Sequence, residues 1–353
     1  MTGQLFVTGM LRSGTSLTQT VLSAHPAMWI AYQPFHQLYV DVKQAFLEQR
    51  QSDLWPPLDD GGPGHPVLRE EYEAWLEAHH FDDAEAQALA RHATAGKGGS
   101  LADAGIAFDA AAGTFLDIRR ALHDQLAARH GQSETPVVGS KEILCEEFVP
   151  ALASSGVSCV LVLRDPRAVV ASANHGRYHA SVGDRYPLLM MIRLWRKSAA
   201  YASRLQGDPR VRVLRYEDLV REPDRSVREL TDWLGLGPFP PGLGERLLLD
   251  PSGKPWSGNS SFGDKSRIDS RSADGWRQLL APAETRFIEA CTLAERRRLG
   301  YPDSGEATVD DILGFEEEPA GIRPGYRARH ALTAASRAEE CLRLDAARSG
   351  ASA

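Results

Sequence analysis

The residues with the clearest chemical potential lie near the amino terminus: Gly9, Arg12, Ser13, Gly14, Thr15 and Ser16, in the run Val7-Thr8-Gly9-Met10-Leu11-Arg12-Ser13-Gly14-Thr15-Ser16-Leu17. The two glycines let the backbone turn with its N–H groups facing inward, which makes a cradle for an anion. Arg12 adds a fixed positive charge, and the hydroxyls of Ser13, Thr15 and Ser16 add donors. The elements that position them follow from the pattern. Leu5-Phe6-Val7 reads as a strand, and the apolar spacing after Thr15 reads as a helix whose N-terminus offers free N–H groups and the positive end of its dipole. Against the Walker A pattern G-x-x-x-x-G-K-[ST], Gly9, Gly14 and Ser16 fit, but Thr15 stands where the phosphate-binding lysine belongs. Nucleoside triphosphatase chemistry is therefore disfavoured.

A second constellation is Ser158-Cys159-Val160-Leu161-Val162-Leu163-Arg164-Asp165-Pro166-Arg167-Ala168-Val169-Val170-Ala171-Ser172. The continuous apolar run is what a central parallel strand, buried on both faces, requires. Pro166 falls in the first turn of the next helix, where its missing N–H is harmless. Arg164 then sits at the carboxyl end of the strand and Ser172 about two turns into the helix. From the residues alone, Arg164 reads equally as an ion-pair partner and Asp165 as a Walker B acid, although the Walker A lysine that the second reading needs is missing. Lys141, at the end of the strand pattern 135–141, is a further cation at a strand end, and its alternative is a surface lysine with a snorkelled stem.

At 353 residues, with 42% apolar and 25% charged side chains, the chain suits one large α/β domain with an inserted or appended segment. A net charge of −7 argues against a nucleic-acid partner. There is no signal-peptide pattern and no run long and apolar enough to span a membrane, so a cytoplasmic protein is expected. Cys145, Cys159, Cys291 and Cys341 lack C-x-x-C spacing and read as small hydrophobes, not as a zinc site or a disulfide framework.

Along the chain, Met28–Tyr32 reads as a second strand ending at Gln33-Pro34-Phe35-His36, and 41–49 as a helix. Residues 50–133 change character, with loop material followed by helical patterns at 67–80, 83–92 and 115–129. This reads as a helical insertion, a candidate acceptor-binding cap carrying Trp55, Tyr72, Trp75, Phe81, Phe108 and Phe115. The same aromatics would equally form the insertion's own core. A helix at 146–154, a polar loop at 177–185, a helix at 188–205, a strand at 211–219 ending in Tyr216-Glu217-Asp218, and helices at 223–234 and 282–299 follow. Residues 303–353 read as linker and tail. Within them, 327–348 is either a helix packed on the body or on a second subunit of a homodimer, or a disordered end.

The loop with a cation before Ser13-Gly14-Thr15-Ser16 resembles the 5′-phosphosulfate loop of the sulfotransferases that use 3′-phosphoadenosine 5′-phosphosulfate (PAPS). The R-D-P-R-x-V-x-x-S run resembles their 3′-phosphate site. The resemblance covers about residues 4–301, with 50–133 unmatched. It implies a mostly parallel sheet flanked by helices, a P-loop-like nucleotide site, PAPS as donor and no metal. It further implies Arg12, Ser13, Gly14, Thr15 and Ser16 around the 5′-phosphosulfate, Arg164 and Ser172 on the 3′-phosphate, Tyr216 at the adenine, and Ser266 and Arg267 on phosphate from a closing loop. Gly139-Ser140-Lys141 is similar to a family motif that supplies a second cation, Lys141. The acceptor would be a small molecule with a hydroxyl, phenolic hydroxyls among them.

One position departs from that pattern. In several branches a glutamate at the end of the second strand removes the acceptor's proton, and Gln33 occupies that position. A neutral amide orients a hydroxyl but takes no proton. The favoured replacement is His36, with a suitable unperturbed pKa. Glu142, or His79 and His80 in the insertion, are alternatives, and a phenolic acceptor would need little help. A P-loop-type kinase and a catalytically impaired nucleotide-binding homologue are the competing functions.

Overall fold

The structure, a computed structural model, describes residues 3–51, 58, 65–95, 107–130, 135–239, 242–243, 245–249, 254–258 and 266–350. Its strands in chain order are β1 (Gly3–Gly9), β2 (Met28–Tyr32), β3 (His80–Phe81), β4 (Gly113–Thr114), β5 (Val137–Lys141), β6 (Ser158–Leu163) and β7 (Val211–Arg215). Five of them form one sheet in the order β2-β5-β1-β6-β7, and every pairing in it is parallel. β3 and β4 make a separate antiparallel pair. The central strand β1 sets Phe6 opposite Ser140 of β5 and Cys159 of β6.

Alternation along β1 and β6 splits the core into two layers. Phe6, Cys159, Leu161 and Leu163 face one cluster, and Leu5, Val7, Val160 and Val162 face the other. The second layer is covered by α1 (Thr15–Ser23) and the helices Tyr216–Arg221 and Pro223–Trp233. On the first layer lie α2 (His36–Gln49), the helices His65–Ala78, Asp83–His92 and Phe115–His130, and part of Leu188–Leu205. Residues of the 50–133 stretch therefore share one core with the sheet. Phe148 holds the two together, with ring centroids 4.8 Å from Tyr39 and 5.7 Å from Tyr72. Buried Glu146 and Glu147 beside it pair with Lys43 and Lys197, which fixes the chain just beyond β5.

Several elements differ from the sequence reading. α2 begins at His36, five residues before the expected start at 41. The turn ahead of it is held from across the sheet, where the Glu142 carboxylate accepts the Phe35 N–H at 3.0 Å, a restraint that local sequence does not encode. Residues 177–182, expected as loop, form a short helix, and Tyr216 opens a helix instead of ending a strand. The expected helix 282–299 is broken at Thr292 into Pro282–Cys291 and Leu293–Arg298.

In the tail the helical alternative is the one observed. Residues 334–349 form a helix, and buried Arg196 bridges its Glu340 to the Cys291 carbonyl. Ile312, Phe315 and Leu344 join the third hydrophobic cluster, so the disordered alternative is set aside and 303–350 is part of the body. Among the described residues no helix is long and apolar enough to cross a membrane.

Candidate active site

In a parallel sheet all carboxyl ends lie on one edge, and the loops after β1, β2, β5 and β6 meet there. They enclose a cleft of about 1050 Å³, its open mouth included. Arg12, Gly14, Thr15, Ser16, Gln33, Lys141, Arg164, Ser172, Tyr216 and Arg267, all singled out from the sequence, line it. Ser13, His36, Glu142 and Ser266 do not.

The loop between β1 and α1 is built for close approach. Arg12 and Gly14 both have left-handed backbones, with φ of 64° and 100°. A side chain on Gly14 would overlap the Tyr216 ring, which packs flat against it. The Ser13 hydroxyl is buried and lacks a hydrogen-bond partner. Arg12 donates through Nε and Nη2 to the Ser172 hydroxyl at 3.1 and 3.0 Å. Arg164 donates to the Arg12 carbonyl at 3.1 Å and to the Ser272 carbonyl at 2.7 Å. Its guanidinium lies 4.2 Å from the Tyr216 ring centroid, and its own carbonyl is held by the buried Trp195 indole N–H at 2.8 Å. Arg12 thus meets Arg164 and Ser172, 152 and 160 residues further along the chain, at one end of the cleft.

Asp165 does not act as a Walker B acid. Its carboxylate caps the helix Pro166–Asn174 through the Arg167 N–H and pairs with the Arg167 guanidinium. Glu289 holds Arg167 from the other side.

The opposite wall comes from β2 and β5. Gln33 has φ 44°, and its N–H donates to the Lys141 carbonyl at 2.8 Å, so the two residues stand side by side. Lys141 is 1% exposed, with its ammonium 3.7 Å from the Tyr32 ring centroid. Burial pushes its pKa down to about 7, against a smaller opposing pull from Glu142. Behind this wall, His36 Nδ1 lies 3.6 Å from Glu142 Oε2, a distance beyond a hydrogen bond.

His79 stacks on Trp75 at 4.4 Å and His80 lies in β3. Neither lines the cleft. Nor do the described aromatics of the insertion: Tyr72, Phe81, Phe108 and Phe115 are core residues, with Trp75 packed against them. The core alternative is the one observed for them, and Trp55 lies outside the described residues, as do 259–265 of the closing segment. Arg267 reaches the cleft from the far end of that segment and donates to the Glu245 carbonyl at 2.7 Å. The Ser266 carbonyl accepts the Leu248 N–H at 2.7 Å.

Sequence reasoning missed Tyr32, Tyr186, Trp256, Asp269 and Ser272 in the lining. Tyr32 was signalled by its place before Gln33 at a strand end, whereas the other four come from segments without periodicity. Among the described residues the lining carries four cations, Arg12, Lys141, Arg164 and Arg267, against one carboxylate, Asp269. Hydrogen bonds from Arg271 keep Asp269 below the usual carboxylate range. Such a donor set, with a glycine cradle and an orphaned buried hydroxyl, fits a ligand bearing several anionic groups.

A sequence-family model described as "Sulfotransferase domain" matches residues 2–295. Among solved structures, the chain is similar to the sulfotransferase domain from the curacin biosynthetic pathway, at 17% identity over 86% of this chain and 99% of that one, TM-score 0.44. It is also similar to the sulfotransferase domain of the Synechococcus PCC 7002 olefin synthase, at 18% identity over 90% and 96%, TM-score 0.42. A sulfotransferase from Alicyclobacillus acidocaldarius matches at 16% identity over 71% and 88%, TM-score 0.36. A comparison with curated proteins gives no match.

Proposed function

The chain belongs to the sulfotransferase family, and we propose that it moves the sulfuryl group of PAPS to a hydroxyl of a small-molecule acceptor. The observation that carries this reading is the cleft itself, with Arg12 bonded to Ser172 and held by Arg164 at one end and Lys141 beside Gln33 at the other. The bound donor would supply an activated sulfuryl group on a phosphate leaving group. Arg12, the loop N–H groups and the hydroxyls of Ser13, Thr15 and Ser16 hold the 5′ end, Arg164 and Ser172 hold the 3′-phosphate, and Tyr216 borders the base. Ser266 and Arg267 close over the phosphates.

Catalysis of this transfer demands in-line positioning and stabilisation of charge developing on the leaving oxygen. Arg12 stabilises that charge but keeps its proton. Lys141, with a pKa near neutrality, is a cation able to give one up. Gln33 orients the acceptor hydroxyl. His36, which stands behind the wall formed by Gln33 and Lys141, takes the acceptor's proton through a water, with the Glu142 carboxylate 3.6 Å from its Nδ1.

The test is turnover of sulfur-labelled PAPS with a panel of phenols. Arg12→Ala is expected to abolish transfer. His36→Ala is expected to slow it with nucleotide affinity kept; turnover equal to the parent would remove His36 as the proton acceptor and leave an acceptor that ionises unaided.

A further inference from the structure

Residues beyond the match to the family model reach back to the cleft. The stretch 185–188 carries Tyr186, which lines the same cleft as Ser172 and is 8% exposed. From the helix side, Asn174 holds it twice, accepting the Tyr186 N–H at 2.9 Å and donating to its carbonyl at 2.8 Å. From the other side the C-terminal segment grips the same residues. The Arg185 N–H donates to the Gly321 carbonyl at 2.6 Å, and the Arg323 N–H donates to the Arg185 carbonyl at 3.0 Å. The Arg185 guanidinium reaches the carbonyls of Glu318 and Ala320. The Leu188 N–H is held by the Glu317 carboxylate at 2.7 Å. Finally the Arg323 guanidinium lies 4.3 Å from the Tyr186 ring centroid. The segment is itself anchored, since Arg337 bonds the Ile312 carbonyl and Arg196 pairs with Glu340 in the core.

We propose that residues 317–323 are a positioning element of the donor site: Arg323 and its neighbours press Tyr186 against the Ser172 end of the cleft, and the ring excludes water from the 3′-phosphate. This rests on the assignment of Arg164 and Ser172 to that phosphate. The physical ground is that a charge-assisted contact strengthens as the local dielectric falls. An aromatic wall fixed from two sides does this at no ordering cost on binding. The 5′-phosphate, cradled by the loop after β1, is indifferent to it.

The experiment compares adenosine 3′,5′-bisphosphate with adenosine 5′-monophosphate by calorimetry on the full chain. For the parent, tight binding of the bisphosphate and weak binding of the monophosphate are expected. Arg323→Ala and Tyr186→Ala each raise the bisphosphate Kd about tenfold and leave the monophosphate Kd within about twofold, as expected for one charge-assisted contact becoming solvated. Arg323→Lys, which keeps a cation over the ring, stays near the parent. Equal weakening of both nucleotides, or no change in either variant, overturns the proposal while the donor site stands. A parent that does not bind the bisphosphate overturns the donor-site reading, and the proposal with it. Should Arg323→Ala fail to fold, Tyr186→Ala decides alone.

Discussion

Lys141 gives the sharpest test of the electrostatics. Its ammonium is buried against the Tyr32 ring, and desolvation lowers its pKa from the ordinary lysine value to about 7. The neighbouring Glu142 opposes this only in part. Cys145, the other group facing it, is pushed up by burial and stays a neutral thiol. A multiply charged anion in the cleft favours the protonated form, so binding must take up a proton wherever the empty site has lost it. With a free value near 7 and a group that stays protonated while the anion is bound, uptake is roughly 0.1 proton at pH 6, about 0.5 at pH 7 and about 0.9 at pH 8. The assay is titration with adenosine 3′,5′-bisphosphate in buffers of different ionisation enthalpy. At pH 8 the ligand's own phosphates no longer titrate, and the slope of enthalpy against buffer enthalpy counts protons. Above pH 7 the affinity should fall by up to about tenfold per unit, the limit for loss of one linked proton. Lys141→Met should abolish both uptake and slope. Binding at pH 8 with no proton uptake would refute the claim that Lys141 is the cation facing the ligand.

Two further outcomes follow from buried groups and backbone. His123 donates through Nε2 to the Val138 carbonyl at 3.2 Å, and burial pushes its pKa down to about 3. Its folded value lies below the unfolded one, so the stability it contributes is present above about pH 6.5 and is lost as pH falls, at about 1.4 kcal/mol per unit. Urea unfolding at pH 7.5 and 4.5 should show the parent losing roughly 2–3 kcal/mol more than His123→Gln between those pH values; equal losses would contradict it. Gly14→Ala places a side chain on a left-handed residue and against the Tyr216 ring. It should cost about 1–3 kcal/mol in thermal or urea unfolding, with loss of bisphosphate binding, whereas a neutral Gly14→Ala would mean that the loop does not need its observed path.

The sequence disclosed most where local pattern and tertiary role coincide. β2, the helix 188–205 and the loop at Gly9–Gly14 were legible because uninterrupted apolar runs, helical periodicity and glycine placement are local signals. Arg12, Arg164 and Ser172 were singled out because two short motifs resemble those of the sulfotransferases. What escaped has a non-local cause. The early start of α2 depends on Glu142, which lies across the sheet. Arg167, the partner of Asp165, is also held by Glu289, far along the chain. Tyr186 enters the cleft on an irregular segment held by Asn174 and the C-terminal stretch, and Ser272 on the short helix Arg271–Asp274. The tail looked like linker because its apolar residues are sparse, yet the Arg196–Glu340 pair fixes it to the core. The aromatic residues of the insertion were legible as aromatics, and packing with α2 and Phe148 determines that they are core.

The central claim is that this cleft binds a 3′-phosphorylated adenine nucleotide through Arg12 and Arg164. Calorimetric titration of the purified protein with adenosine 3′,5′-bisphosphate, run against ATP with Mg²⁺, tests it most directly. The account predicts Kd values in the micromolar range (on the order of −8 kcal/mol) for the bisphosphate, lost in Arg164→Ala, and little binding of ATP. Binding of ATP with Mg²⁺ in preference to the bisphosphate would contradict it.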